Sequence, residues 1–174
     1  MKSKGESGRQ VSRVSTLVVG LVAGAIGVVA ALARFGPGLM MVEEESPHGF
    51  EETTRRFESA VEGTDWMVLH VHDLQEKMDR HGYDVERTTV YEICSSEHAS
   101  TILTRDDERV VSPMMPCRVS IYETSDGTTY VSRMNAGLVA TAFGGVIRRT
   151  MDDAYAESEA IVETALDPYA PTLQ

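Results

Sequence analysis

The chain has 174 residues, 42% of them hydrophobic, which is enough material for one globular domain with a core of its own. Its net charge is −11; the first 34 residues hold Lys2, Lys4, Arg9, Arg13 and Arg34 against Glu6, a net +4, so the remainder carries −15. A surface that acidic repels phosphate backbones and anionic headgroups, and this excludes nucleic acid as a partner.

Residues 1–15 read as a basic cytoplasmic tail. From Thr16 to Ala33 the chain runs without a charge. At 1.5 Å per helical residue this stretch covers nearly all of a ~30 Å hydrocarbon core. Residues 16–34 are therefore expected to be a transmembrane anchor or a signal peptide, in contact with the lipid bilayer. Ala31-Leu32-Ala33 mimics a small-residue cleavage site, while the apolar run exceeds the usual signal-peptide core of about 7 to 15 residues. Basic residues before the run and Glu43, Glu44 and Glu45 after it orient the rest outward, giving a single-pass membrane protein with an extracytoplasmic domain. Gly20 and Gly24 form a GxxxG pair of the kind that brings spanning helices together.

Residues 35–48, with Gly36, Pro37, Gly38, three glutamates and Pro47, have linker composition. The globular domain is expected at 49–166, followed by a tail at 167–174 marked by Pro168 and Pro171. Phe50, Thr54, Phe57 and Val61 recur at helical spacing up to Gly63 and predict a helix over 51–62. Trp66 to Val71 reads as a buried strand. Asp73 with Glu76 resembles a capping box for a helix through His81, closed by Gly82. Thr88 to Cys94 is β-branched and aromatic, hence a strand, and Ser95 or Ser96 caps a short helix carrying Ala99, Ile102 and Leu103. Cys117, Val119 and Ile121 alternate with Arg118 and Ser120, and Asp126-Gly127 separates this run from Thr128 to Met134, a hairpin signal. Apolar pairs from Leu138/Val139 to Ala165/Leu166 predict two helices, or one bent helix, interrupted at Gly144-Gly145. The fold class expected is α+β, a single antiparallel or mixed sheet with helices packed on one face, preceded by a transmembrane helix.

Several stretches taken together carry a resemblance. They are His72-Asp73-Leu74-Gln75, Val90-Tyr91-Glu92-Ile93-Cys94 with Glu97-His98-Ala99, the run from Met115 to Glu123, Asp126-Gly127 and Met134-Asn135. From about Gly49 to Glu163 the chain resembles the domain-of-unknown-function 302 family. That resemblance implies a TATA-box-binding-protein-like α+β fold, often dimeric, and no accepted activity.

Among residues able to carry chemistry, Cys94 ends one strand and Cys117 begins another, so in adjacent antiparallel strands their sulfurs can meet. A disulfide, two buried thiols and a functional site all stay open. Cys94 and His98 lie four apart, with Cys117, Met114 and Met115 as further soft ligands for a haem or a transition metal, although the spacing matches no standard motif. His70 and His72 share one side of a strand, with His70 expected beside Trp66 and Val68 and His72 hydrogen-bonded at the strand end. Arg118 is expected outward, in ion pairs with Glu92 or Glu123. No nucleophile elbow, phosphate loop or supported acid/base pair is present. The leading expectation is a membrane-anchored, non-catalytic binding or accessory module, with the sheet or the terminal helices offering a surface for a homodimer. A haem- or metal-binding redox protein using Cys94, His98 and Cys117, or a thiol-disulfide switch, are the alternatives.

Overall fold

The structure is a computed structural model that describes residues 40–169, together with 24, 25, 27, 28, 30, 34, 36, 38 and 39. The chain divides into two units, Met1–Leu39 and Met40–Gln174. In the first, every described residue is helical. The bilayer-spanning segment expected at 16–34 lies largely outside the described residues, and among those described no helix is long and apolar enough to cross a membrane.

The second unit is an α+β fold built on one five-stranded antiparallel sheet. In chain order its elements are β1 (Met41–Glu45), α1 (Phe50–Glu62), β2 (Trp66–Asp73), α2 (Leu74–Asp79), β3 (Thr88–Ser95) and α3 (Ser96–Leu103). A 3-10 turn at Arg109–Met114 follows, then β4 (Cys117–Glu123), β5 (Thr129–Met134), α4 (Ala136–Ala140) and α5 (Gly145–Leu166). The spatial order of strands is β1-β5-β4-β3-β2.

Period-two alternation decides which side chains go inward. Tyr91, Ile93, Val119, Ile121 and Val131 are almost wholly buried and meet Phe57, Ala60 and Val61 of α1 and Ile161, Val162 and Ala165 of α5. Helices α1 and α5 also pack on each other, so both lie on this one face. Helix α5, about 33 Å long at 1.5 Å per residue, buries Ile147, Thr150, Ser158, Ile161, Val162 and Ala165 along one stripe. The hairpin forms where Asp126-Gly127 places it: Gly127 has φ 85°, and Asp126 Oδ1 accepts from Thr124 Oγ1 and Thr128 N. Asp73 caps α2 by accepting from Glu76 N at 2.8 Å. The Gly144-Gly145 break separates α4 from α5 as expected.

Strand β1 lies inside the stretch read as a linker. Three consecutive glutamates have poor strand propensity, and the element is held by its partner instead. Met41 to Glu45 pair with Met134 to Tyr130 at the sheet edge, where Glu44 turns inward to Arg133 and Glu43 accepts from the Tyr122 hydroxyl on the other face.

A bulge at Leu69 corrects the expectation for His70. Val68 pairs with Ile93 but His70 pairs with Glu92, so the skipped Leu69 flips His70 onto the sheet face opposite Trp66 and Val68.

Candidate functional site

A second, smaller apolar cluster of Ile102, Val111 and Ile147, with Met114, Met115 and Met151 against it, sits beside the main core. Between the two clusters lies a cavity of about 350 Å³, within the range of small-molecule pockets. It is walled by the sheet, α3, the 3-10 turn and α5. The space exists because the facing helices present short side chains there: Ala99 on α3, and Thr150, Ala154 and Ser158 on α5.

Five of the sequence-predicted site residues, Cys94, His98, Cys117, Met114 and Met115, border this one cavity, Cys94 from a strand position whose side chain alternates to the other face of the sheet. His98 is held at its wall by α3, whose first residue follows Ser95; the Ser95 side chain makes no cap hydrogen bond. The His98 Nε2 lies 3.0 Å from Glu157 Oε2, and the Trp66 indole donates to the same oxygen at 2.9 Å. Those two hydrogen bonds, Trp66's the stronger influence, hold the Glu157 carboxyl below its ordinary range.

Both cysteines are free thiols. Strands β3 and β4 are adjacent and antiparallel, as the disulfide reading required, but Cys117 pairs with Ile93 rather than Cys94. Paired residues share a face and successive residues alternate, so Cys94 and Cys117 stand on opposite sides of the sheet. Burial pushes both thiols up, and at Cys117 the nearby Cys94 adds to the effect. Neither is primed as a thiolate nucleophile or metal ligand. Among the described residues no group of three or more His, Cys, Asp or Glu is placed to hold a metal ion.

His70 and His72 do not line the cavity. They sit on the uncovered sheet face with ring centroids 4.4 Å apart. His72 Nε2 is 3.2 Å from Glu92 Oε1 and its Nδ1 is 3.0 Å from Lys77 Nζ, so both ring nitrogens are engaged. Glu92 also accepts from Arg118 Nε and Nη2 at 3.2 and 3.1 Å, the outward ion pair expected; Glu123 pairs with Arg87 instead.

Sequence reasoning missed Arg133, which also lines the cavity and is 5% exposed. Its Nε and Nη2 donate to the two carboxylate oxygens of Glu159 at 2.6 and 2.5 Å, and Nη2 also reaches Glu44. Burial works against its charge, yet the hydrogen bonds to Glu159 and Glu44 prevail and hold it firmly protonated. Its Nη1 is buried and has no hydrogen-bond partner. The signal was present: in Thr129-Tyr130-Val131-Ser132-Arg133 the arginine falls on the same alternation as buried Thr129 and Val131.

Comparison with known proteins follows the same lines. A solved structure described as the crystal structure of uncharacterized conserved protein DUF302 from Bacillus stearothermophilus shares the fold, with a TM-score of 0.65 at 19% identity, covering 73% of this chain and 98% of that one. No curated protein matches. The family model described as domain of unknown function DUF302 matches residues 42–165, and the chain belongs to that family.

Proposed function

We propose that this protein is a non-catalytic binding module that takes an apolar small molecule into the cavity between its two hydrophobic clusters. The observation that carries this reading is the cavity itself. This partly open, mostly apolar pocket of about 350 Å³ falls in the size range of small-molecule sites. Methionines 114, 115 and 151 in its wall supply flexible, polarisable surface that adapts to a guest.

In this reading residues 16–34 tether the module to a bilayer and the domain faces away from the cytoplasm, supported by the uncharged run and the charge asymmetry around it. A topology reporter fused behind Gln174 tests that part, and sedimentation of the purified chain tests the homodimer.

The cavity is tested with the neutral dye N-phenyl-1-naphthylamine and the full-length chain in phosphatidylcholine nanodiscs. Trp66, the single tryptophan, lines the cavity and acts as energy donor. A saturable, Trp66-sensitised dye emission is expected, and Ala154→Phe, which fills the space, should abolish it. Equal emission from both proteins would overturn the reading.

A second reading, a haem or soft-metal site, draws on Cys117, His98, Met114 and Met115 lining the same cavity. Against it stand the engaged Nε2 of His98 and the raised thiols. A Soret band, or stoichiometric metal in the purified full-length chain, would favour it over the first.

A further inference from the structure

Resting on the cavity-binding reading, we infer that Ser95 and His98 form the polar anchor of the cavity and that the ligand is an otherwise apolar molecule bearing one neutral hydroxyl group. Ser95, Arg133, Thr150 and Ser158 are the buried polar residues that border the cavity. Two of them are engaged within the protein: Ser158 donates to the Tyr155 carbonyl at 2.9 Å, and Arg133 donates to Glu159 and Glu44. The nitrogen that Arg133 leaves over, Nη1, is closed off, as are His48 Nε2 and Thr129 Oγ1. The hydroxyls of Ser95 and Thr150 also lack a hydrogen-bond partner among the described residues, yet neither oxygen is closed off. Both residues are buried, at 6% and 9% exposure, so the open surface left to these oxygens is the cavity.

A serine at a helix N-cap ordinarily accepts from a backbone N–H one turn in, as the capping residues Asp73 and Asn135 do here at 2.8 and 2.9 Å. Ser95 precedes α3 without making that bond, which leaves its hydroxyl to the cavity. His98 stands three residues further on, and residues at that spacing are neighbours on a helix surface. Ser95, His98, Ala99 and Ile102 all border the cavity and form one face of α3. A helical side chain leans toward the N-terminus of its helix, so the His98 ring leans toward Ser95.

Glu157 fixes what His98 offers. The Trp66 and His98 hydrogen bonds hold the Glu157 carboxyl below its ordinary range, so at neutral pH it only accepts. In neutral His98 the proton therefore sits on Nε2, 3.0 Å from Glu157 Oε2, and Nδ1 is left as an acceptor. The Ser95 hydroxyl both donates and accepts. A ligand hydroxyl satisfies both groups at once, donating to Nδ1 and accepting from Ser95 Oγ. A ketone or ester oxygen serves only the serine, because it has no proton to give Nδ1. A ligand carboxylate also lacks that proton and would bring a second negative charge beside Glu157 into a poorly solvated space. The rest of the ligand meets Trp66, Val119 and the thioethers of Met114 and Met115.

The test displaces N-phenyl-1-naphthylamine from the full-length chain in phosphatidylcholine nanodiscs, at about pH 8, where an imidazole is ordinarily neutral. Three competitors share one shape: decahydronaphthol carries a hydroxyl, decahydronaphthalenone only an acceptor, and decahydronaphthalene neither. Equilibrium dialysis fixes their free concentrations, which removes the effect of partition into lipid. The alcohol is expected to half-displace the dye at about one-tenth of the concentration that the hydrocarbon needs, the effect of about one net hydrogen bond, with the ketone in between. Ser95→Ala should shrink that advantage, and His98→Phe should leave the alcohol and the ketone equal. Thr150→Val, which keeps the side chain's shape without its hydroxyl, should leave the ranking unchanged. Dye emission that never saturates would overturn the cavity reading and the anchor with it. Saturable emission that all three competitors displace equally would leave the cavity reading standing and overturn the hydroxyl ligand. A ranking lost in Thr150→Val and kept in Ser95→Ala would move the anchor to α5 and overturn its assignment to Ser95 and His98.

Discussion

The indole of Trp66 and the imidazole of His98 lie 6.0 Å apart, centroid to centroid, and converge on a single oxygen, Oε2 of Glu157. Strand β2, helix α3 and helix α5 are thereby joined at one wall of the cavity. Because those hydrogen bonds lower the Glu157 pKa in the folded state, its carboxylate adds stability above the ordinary unfolded value near ~4.3 and loses it as pH falls through the depressed folded value. Glu157 is half exposed, which limits the effect. Glu157→Gln should cost about 1 kcal/mol or less at pH 7. The difference from wild type should shrink as pH falls below the unfolded value of ~4.3 and vanish only below the depressed folded value, and a series of thermal melts from pH 7 downward measures both.

Arg133 bridges two carboxylates within the fold, one of them on the otherwise weak strand β1. Arg133→Met leaves Glu159, 20% exposed, without its partner. Removing one member of such a pair costs about 3–5 kcal/mol, and adding Glu159→Gln should recover part of that loss by removing the stranded charge. Urea unfolding of the two variants decides the matter; a double variant no more stable than the single one would contradict the assignment.

The thiols of Cys94 and Cys117 are raised by burial and face opposite sides of the sheet. Alkylation of both by iodoacetamide at neutral pH is expected to run slower than that of an unstructured cysteine peptide, since the thiolate is the nucleophile. Diamide treatment of the native chain should leave two titratable thiols. A count falling to zero in the monomer would place the sulfurs on the same side and refute the register.

Gly137 in α4 is a close-approach position. A Cβ there would lie 2.9 Å from Cδ1 and 3.0 Å from Cε1 of Tyr155, whose side chain lines the cavity. Gly137→Ala is expected to displace that ring, destabilise the fold by about 1–3 kcal/mol as overpacking does, and weaken dye uptake. A variant with unchanged melting temperature and uptake would show that the ring moves aside freely.

Much of the fold was legible in local chemistry. Helix α1 itself, the Asp73 cap, the Asp126-Gly127 turn and the Gly144-Gly145 break each depend on a few neighbouring residues, although the buried face of α1 runs through Thr53, Phe57, Ala60 and Val61 rather than Thr54. Each feature therefore formed where the chain itself set it. Five of the residues bordering the cavity were also picked out, though as soft ligands rather than as the wall of a pocket.

Other features depended on partners distant in sequence. Glu43, Glu44 and Glu45 extend only because β5 offers a ladder and Arg133 a counter-charge 89 residues beyond Glu44. His70 changes face because one residue bulges, and Cys94 misses Cys117 because the ladder is offset by one residue.

By itself, then, the sequence determined the order of elements from α1 onward apart from the 3-10 turn, the alternation of β4 and the net acidity, all of which are local or additive properties. Tertiary structure alone decided the pairing register, the cavity and the unpartnered nitrogen of Arg133. Register is a relation between two strands, and a void is a mismatch between the volumes of facing side chains, here Ala99, Ala154 and Ser158 across from the sheet. Neither quantity exists until the chain has closed on itself.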